Sequence, residues 1–250
     1  FIMYGEDNDL KIKNYKKKNS NDVNVLLLGG STTEFFPDEL IKEKLGNYFG
    51  KNINLYNSAF RGYNARQELV FLSIWGDKIN PDLIISMDGA NDIVHALRVK
   101  RSGTFFTNQT YDVLLSKPYL GPFIYLLQKS QFYNSIFRVL QRYKQFNEED
   151  YYEHIGVYID AQKQISKISQ SLNAVHISIL QPYLGFKEPK NQFEENFDQY
   201  DFRDQVIKQL YDYTYFNLKN LFTNHKNTFF LDARFIFNKT DERIFIDDVH

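Results

Sequence analysis

The sequence predicts an α/β fold built on a parallel sheet, and three features point that way. Short β-type runs alternate along the chain with longer helical patterns, which reads as successive βαβ units. Each run is mostly apolar rather than apolar at every second position, as expected of strands covered on both faces. No internal repeat and no Pro/Gly/Ser-rich linker divides the 250 residues, so one domain is the simplest account.

Taken in order, residues 1–22 are polar and read as an arm outside the sheet. The strand candidates are Val23–Leu28, Ile53–Tyr56, Leu83–Met87, Val175–Leu180 and Thr228–Leu231. The helical patterns between them cover Asp38–Tyr48, Ala65–Ile79, a long region from about Gly121 to Leu172, and Phe202–Phe222. The polar, acidic stretch Asn191–Tyr200 comes after QPYLGFKEPK and reads as a loop or flexible insert. The aromatic-rich region Tyr111–Tyr152 reads as core and helix–helix packing before it reads as a substrate groove.

Composition narrows the function classes. Thirty basic residues face 31 acidic ones, a net charge of -1, whereas a nucleic-acid partner usually leaves a basic excess or stripe. KNYKKK (13–18) and RVKR (98–101) are short and read as solvated surface. With no cysteine, thiolate chemistry, disulfides and cysteine-ligated metals are excluded. No apolar run approaches the ~18 residues of a membrane span. His95, His154, His176 and His225 show no ligand spacing and no H-E-x-x-H occurs, so neither a metal nor another cofactor is expected.

In an open α/β sheet, ligands bind outside the carboxyl ends of the strands. The residues just after each strand are therefore informative. GGSTTE with Ser31 succeeds the first, NSAFRGYNARQE with Gly62 the second, and DGANDI with Asn91 and Asp92 the third. QPYLG succeeds the fourth, and IDDVH with Asp247 and His250 comes after the last. These parts suit a hydrolytic site. A serine hydroxyl is a weak nucleophile until an adjacent base takes its proton, and His250 is the candidate base. Asp247, one turn before it, is placed to fix the imidazole tautomer. Asp248 is the weaker choice because a side chain two residues away points elsewhere. The backbone N–H groups of Ser31 and Gly62 and the Asn91 side-chain amide are candidate oxyanion donors.

Together these blocks resemble the SGNH (GDSL-type) hydrolases, whose pattern is an N-terminal Ser, a Gly, a G-x-N-D and a C-terminal D-x-x-H. Here they read Gly29-Gly30-Ser31-Thr32, Gly62, Gly89-Ala90-Asn91-Asp92 and Asp247-Asp248-Val249-His250, spread over residues 25–250. The resemblance implies a single-domain, three-layer, flavodoxin-like fold over residues 23–250 with a five-stranded parallel sheet. It also implies esterase or acyltransferase activity, and the GGST…GYNARQE…DGANDI wording is similar to members linked to bacterial surface polysaccharides. Gly30 replaces the Asp of the family's G-D-S, as in a GGS-containing subset. The family's helix beyond the catalytic His is not part of this sequence. An extracytoplasmic location is slightly favoured over a cytoplasmic one, and the sequence is compatible with, but does not itself display, a membrane anchor upstream of Phe1.

Other readings remain open at individual positions. Ser31-Thr32-Thr33-Glu34 also matches a capping box with Ser31 as N-cap and Glu34 at N3. A phosphate cradle at this helix start lacks its glycine signatures, and Thr33 stands where an α/β-hydrolase elbow needs Gly. Asp92 is expected to cap the helix next to it. Gly62 is alternatively a turn glycine, and Asn91 a turn brace. The leading expectation is a serine esterase acting on small acyl esters, chiefly O-acetyl groups on carbohydrate. An O-acyltransferase with the same site, and a non-catalytic carbohydrate-binding module, are the alternatives.

Overall fold

A computed structural model describes residues 19, 21–98, 148–196, 201–223 and 225–245. Among these residues five strands form one all-parallel sheet. They are β1 (Asp22–Gly29), β2 (Asn52–Asn57), β3 (Leu83–Asp88), β4 (Val175–Leu180) and β5 (Thr228–Asp232). The spatial order is β2-β1-β3-β4-β5, the flavodoxin-like order in which the switch point lies between β1 and β3. Every expected strand is present, and each differs from expectation by at most one residue at an end.

The connecting helices are α1 (Ser31–Glu34), α2 (Asp38–Phe49), α3 (Ala65–Ile79), α4 (Ala90–Arg98), α5 (Glu148–Ser171), α6 (Gln192–Glu195) and α7 (Asp201–Phe222). The strands bury both faces because their side chains alternate. On one face Leu26, Leu28 and Ile84 pack with Leu72 and Ile79 of α3 and Ile165 of α5. On the other, Val23, Val25 and Leu27 meet Ile41 and Leu45 of α2. Ile93 and Ala96 of α4 join Ile155 of α5 and Leu210 and Tyr211 of α7 in a further cluster. The result is three layers. No helix among the described residues is long and apolar enough to cross a membrane. Of the long helical region expected from Gly121, residues 121–147 lie outside the described part, as do residues 1–18 and most of the aromatic segment.

Within the segment Asn191–Tyr200 expected as a loop or flexible insert, residues 191–196 are instead ordered by capping, and residues 197–200 lie outside the described part. Asn191 accepts from the N–H groups of Phe193 and Glu194, at 3.0 and 2.9 Å. Glu194 accepts in return from Asn191 N–H at 3.1 Å, which closes a capping box on α6. Glu194 is fully buried, and Lys187, also buried, donates to it at 2.6 Å. The acidic composition that suggested solvated loop belongs in part to a buried ion pair.

Candidate active site

The first block is set by two glycines at the carboxyl end of β1. Gly30, in extended conformation, is the N-cap of α1, and no side chain caps that helix. Ser31 is therefore the first helical residue and not the N-cap, which corrects the capping-box expectation for Ser31 and Glu34. Glu34 instead faces Arg61 at 3.5 Å. Thr33, buried below, donates to Met87 C=O at 3.5 Å, fixing the turn to the end of β3.

The second block is tied to the first through backbone. Ser58 N–H donates to Leu27 C=O at 3.0 Å and Phe60 N–H to Gly29 C=O at 3.1 Å. The chain then turns at Phe60–Tyr63, closed by Tyr63 N–H donating to Phe60 C=O at 3.0 Å. Gly62 sits third in that turn at φ +75°, where a positive φ favours glycine. The turn-glycine reading is thus satisfied, and Gly62 lies exposed beside the Ser31 loop. Asn64 then opens α3 with a capping box to Gln67.

The third block completes the cluster. Asn91 Nδ2 donates to Tyr63 C=O at 2.7 Å, which leaves its second amide hydrogen for another acceptor. The same nitrogen lies 2.3 Å from where a Cβ on Gly30 would stand. Asn91 therefore occupies the space a side chain at position 30 would fill, directly beside Ser31. Sequence reasoning treated Gly30 as a neutral departure from G-D-S. Only the tertiary contact gives its lack of a side chain a function. Asp92 lies in the first turn of α4, not at its N-cap, and its carboxylate accepts from its own backbone N–H as well as reaching a second helix. Its two carboxylate oxygens lie 3.4 Å from Ala65 N–H, at the start of α3.

Beneath Asn91 lies a buried acidic cluster that the sequence did not disclose. Glu68 of α3, Asp88 of β3 and Asp92 converge with the Tyr158 hydroxyl in the core. Burial, and then the charge of Asp88, push Glu68 and Asp92 well above the usual carboxylate range. Burial raises Asp88 too, against hydrogen bonds from Glu68 and Gln162 that lower it. Gln162 Nε2 donates to Asp88 at 2.8 Å, while its Oε1 accepts from Ser86 and Ser178, both at 3.1 Å. His176 ends this chain at 3.0 Å from Ser86 Oγ, and burial pushes it down to about 3. It is a neutral core histidine, not a base. Among the described residues no group of three His, Asp or Glu side chains could hold a metal ion.

The fourth exit approaches the first block as well. Gln181 Nε2 lies 3.4 Å from Thr32 Oγ1, next to Ser31. Asp247, Asp248 and His250 lie outside the described residues. The run towards them ends at Ile244 and Phe245, whose N–H groups both donate to Glu194 Oε1 at 3.0 Å.

The three layers and the strand order are those of a flavodoxin-like α/β fold, a fold shared with esterases of known structure. No protein-family model and no curated protein matches the chain, but solved structures do. A mutant of Axe2, an acetyl-xylooligosaccharide esterase from Geobacillus stearothermophilus, shares 16% identity over 91% of this chain and 86% of its own, with a TM-score of 0.51. A catalytic mutant of Axe2 gives 14% identity with the same coverage and TM-score. A GDSL-like lipase from Bacteroides thetaiotaomicron shares 10% identity, over 90% of this chain and 75% of its own, at a TM-score of 0.44. At such identities the likeness to Axe2 is one of fold.

Proposed function

We propose that the protein is a serine esterase that hydrolyses small acyl esters, chiefly O-acetyl groups on carbohydrate. The observation that carries this reading is the seat of Asn91. Its amide is held by Tyr63 C=O and pressed over Gly30, beside Ser31, at the carboxyl edge of the sheet. In this reading Ser31 Oγ attacks the ester carbonyl while His250 takes its proton, and Asp247 orients the imidazole. The oxyanion is held by Ser31 N–H, Gly62 N–H and the second hydrogen of Asn91 Nδ2. Collapse of the tetrahedral intermediate breaks the bond to the leaving alcohol, which receives the proton from His250. Water, activated by the same imidazole, then releases the acid and restores Ser31. The acetyl-xylooligosaccharide substrate named for Axe2 supports the choice of an acetylated sugar.

The blocks around Ser31 include no long apolar segment to sheath a fatty chain, so a small acyl pocket is expected. The test is a chain-length series of p-nitrophenyl esters with Ser31→Ala as the blank, run with and without sugar acceptors. Acetyl esters are expected to exceed octanoyl esters in kcat/KM. A monotonic rise to octanoyl would overturn the acetylesterase reading, since each buried methylene is worth about 0.8 kcal/mol. Release that depends on added sugar would favour the acyltransferase, and a Ser31-independent background the binding module.

A further inference from the structure

We propose that Glu194 is a positioning residue for the Asp247–His250 block, a role that rests on the triad reading above. Four donors converge on its carboxylate. Oε2 accepts from Lys187 Nζ at 2.6 Å and from Asn191 N–H at 3.1 Å. Oε1 accepts from Ile244 and Phe245 N–H, both at 3.0 Å. Lys187 has one further partner, Pro189 C=O at 2.8 Å. Both side chains are buried, at 1% and 0% exposure, a burial that is tolerated only with such complete pairing.

The segment in this clamp's grip gives it a function. Phe245 is itself buried, against Phe237 at 5.8 Å between ring centroids, and stands two residues before Asp247. The loop that carries the clamp begins at Gln181, against Thr32. One connection therefore touches the nucleophile block at its start and holds the approach to the acid–base block at its end. Glu194 fixes the point from which the chain departs toward Asp247 and His250. A base displaced by about 1 Å loses roughly 100-fold in rate, so such an anchor bears on turnover and not merely on folding.

Two double variants separate the grip from the ion pair. Lys187→Met with Glu194→Gln removes both charges and keeps an acceptor for Ile244 and Phe245. Lys187→Met with Glu194→Leu removes both charges and that acceptor. The Gln version is expected to retain wild-type kcat, and the Leu version to lose roughly 10- to 100-fold in kcat with KM unchanged, measured well below its melting temperature. Amide hydrogen exchange at Ile244 and Phe245 should be slow in the Gln version and fast in the Leu version. In a His250→Ala background the two versions should share one residual rate, because a group acting through His250 has no effect without it. Equal kcat in the two folded double variants, with His250→Ala inactive, would overturn the inference and leave the triad reading standing. Full activity in His250→Ala would remove both. Should the Leu version not fold, Glu194→Asp, which keeps the charge but shortens the arm, takes its place with the same readouts.

Discussion

Ser31-Thr32-Thr33-Glu34 and Asn191-Gln192-Phe193-Glu194 carry the same sequence signature, a small polar residue with Glu three positions later. Both open a four-residue helix, yet only the second forms the box. At Asn191 the side chain takes two helix N–H groups and Glu194 returns a bond to the cap. At Ser31 the helix begins one residue early, because extended Gly30 serves as N-cap and no side chain closes over the end. The pattern reports which residues are able to cap. The backbone decides whether they do. Here the difference divides the labour: one copy sets a hydroxyl at the sheet edge under Asn91, and the other builds an anchor in the core.

The largest test of this contrast is Gly30→Ala. Its Cβ would meet Asn91 Nδ2 at 2.3 Å, so the amide must swing away. Loss of an oxyanion donor lowers kcat by about 10²–10³, and that is the expected result, with little change in melting temperature because the displaced atom ends a side chain. Asn91→Ala should give the same loss, and the double variant no more. Wild-type kcat in Gly30→Ala would separate Asn91 from the chemistry.

A smaller effect sharpens the same contrast from the side of stability. Asn191→Ala loses a formed cap, worth about 1 kcal/mol, or a fall of roughly 2–4 °C in a chain of this size. Ser31→Ala loses no cap and should melt with the wild type while abolishing esterase turnover. Equal melting shifts in the two variants would erase the distinction.

The sheet was legible because buried parallel strands announce themselves as apolar runs such as Val-Asn-Val-Leu-Leu-Leu, whereas their order was only what the family resemblance implied. The convergence of the Ser31, Gly62 and Asn91 blocks came from the rule that loops at the carboxyl ends meet. The clamp was not legible, since the N–H donors that compensate the burial of Glu194 come from residues 50 and 51 positions away. The N-x-x-E signature at Asn191 was nevertheless available and would have replaced the loop with a capped turn. The reach of Asp92 was hidden for a related reason: besides its own helix start it serves Ala65 N–H, which belongs to another helix.

The Glu68, Asp88 and Asp92 cluster makes folding a proton-binding event. Burial holds these acids above their unfolded values, so between the two values the folded chain binds more protons than the unfolded one, and each such proton tilts stability by about 1.4 kcal/mol per pH unit. Because the folded values lie above the unfolded ones, this contribution is whole below about pH 4 and is lost as pH rises through the raised values. Glu194 works in the opposite sense. Burial opposes its charge, but Lys187 and three backbone N–H groups bring it down to about 2, so its contribution is present above about pH 4 and lost only in stronger acid. Calorimetry in buffers of different ionisation enthalpy should register proton release on unfolding above about pH 4, and melting should fall as pH rises through the raised values. Glu68→Gln should flatten that slope, and an unchanged slope would show that the cluster binds no proton on folding. An interior that gathers protons behind the carboxyl edge of the sheet and a buried ion pair that sheds one pull stability in opposite directions as the acidity changes.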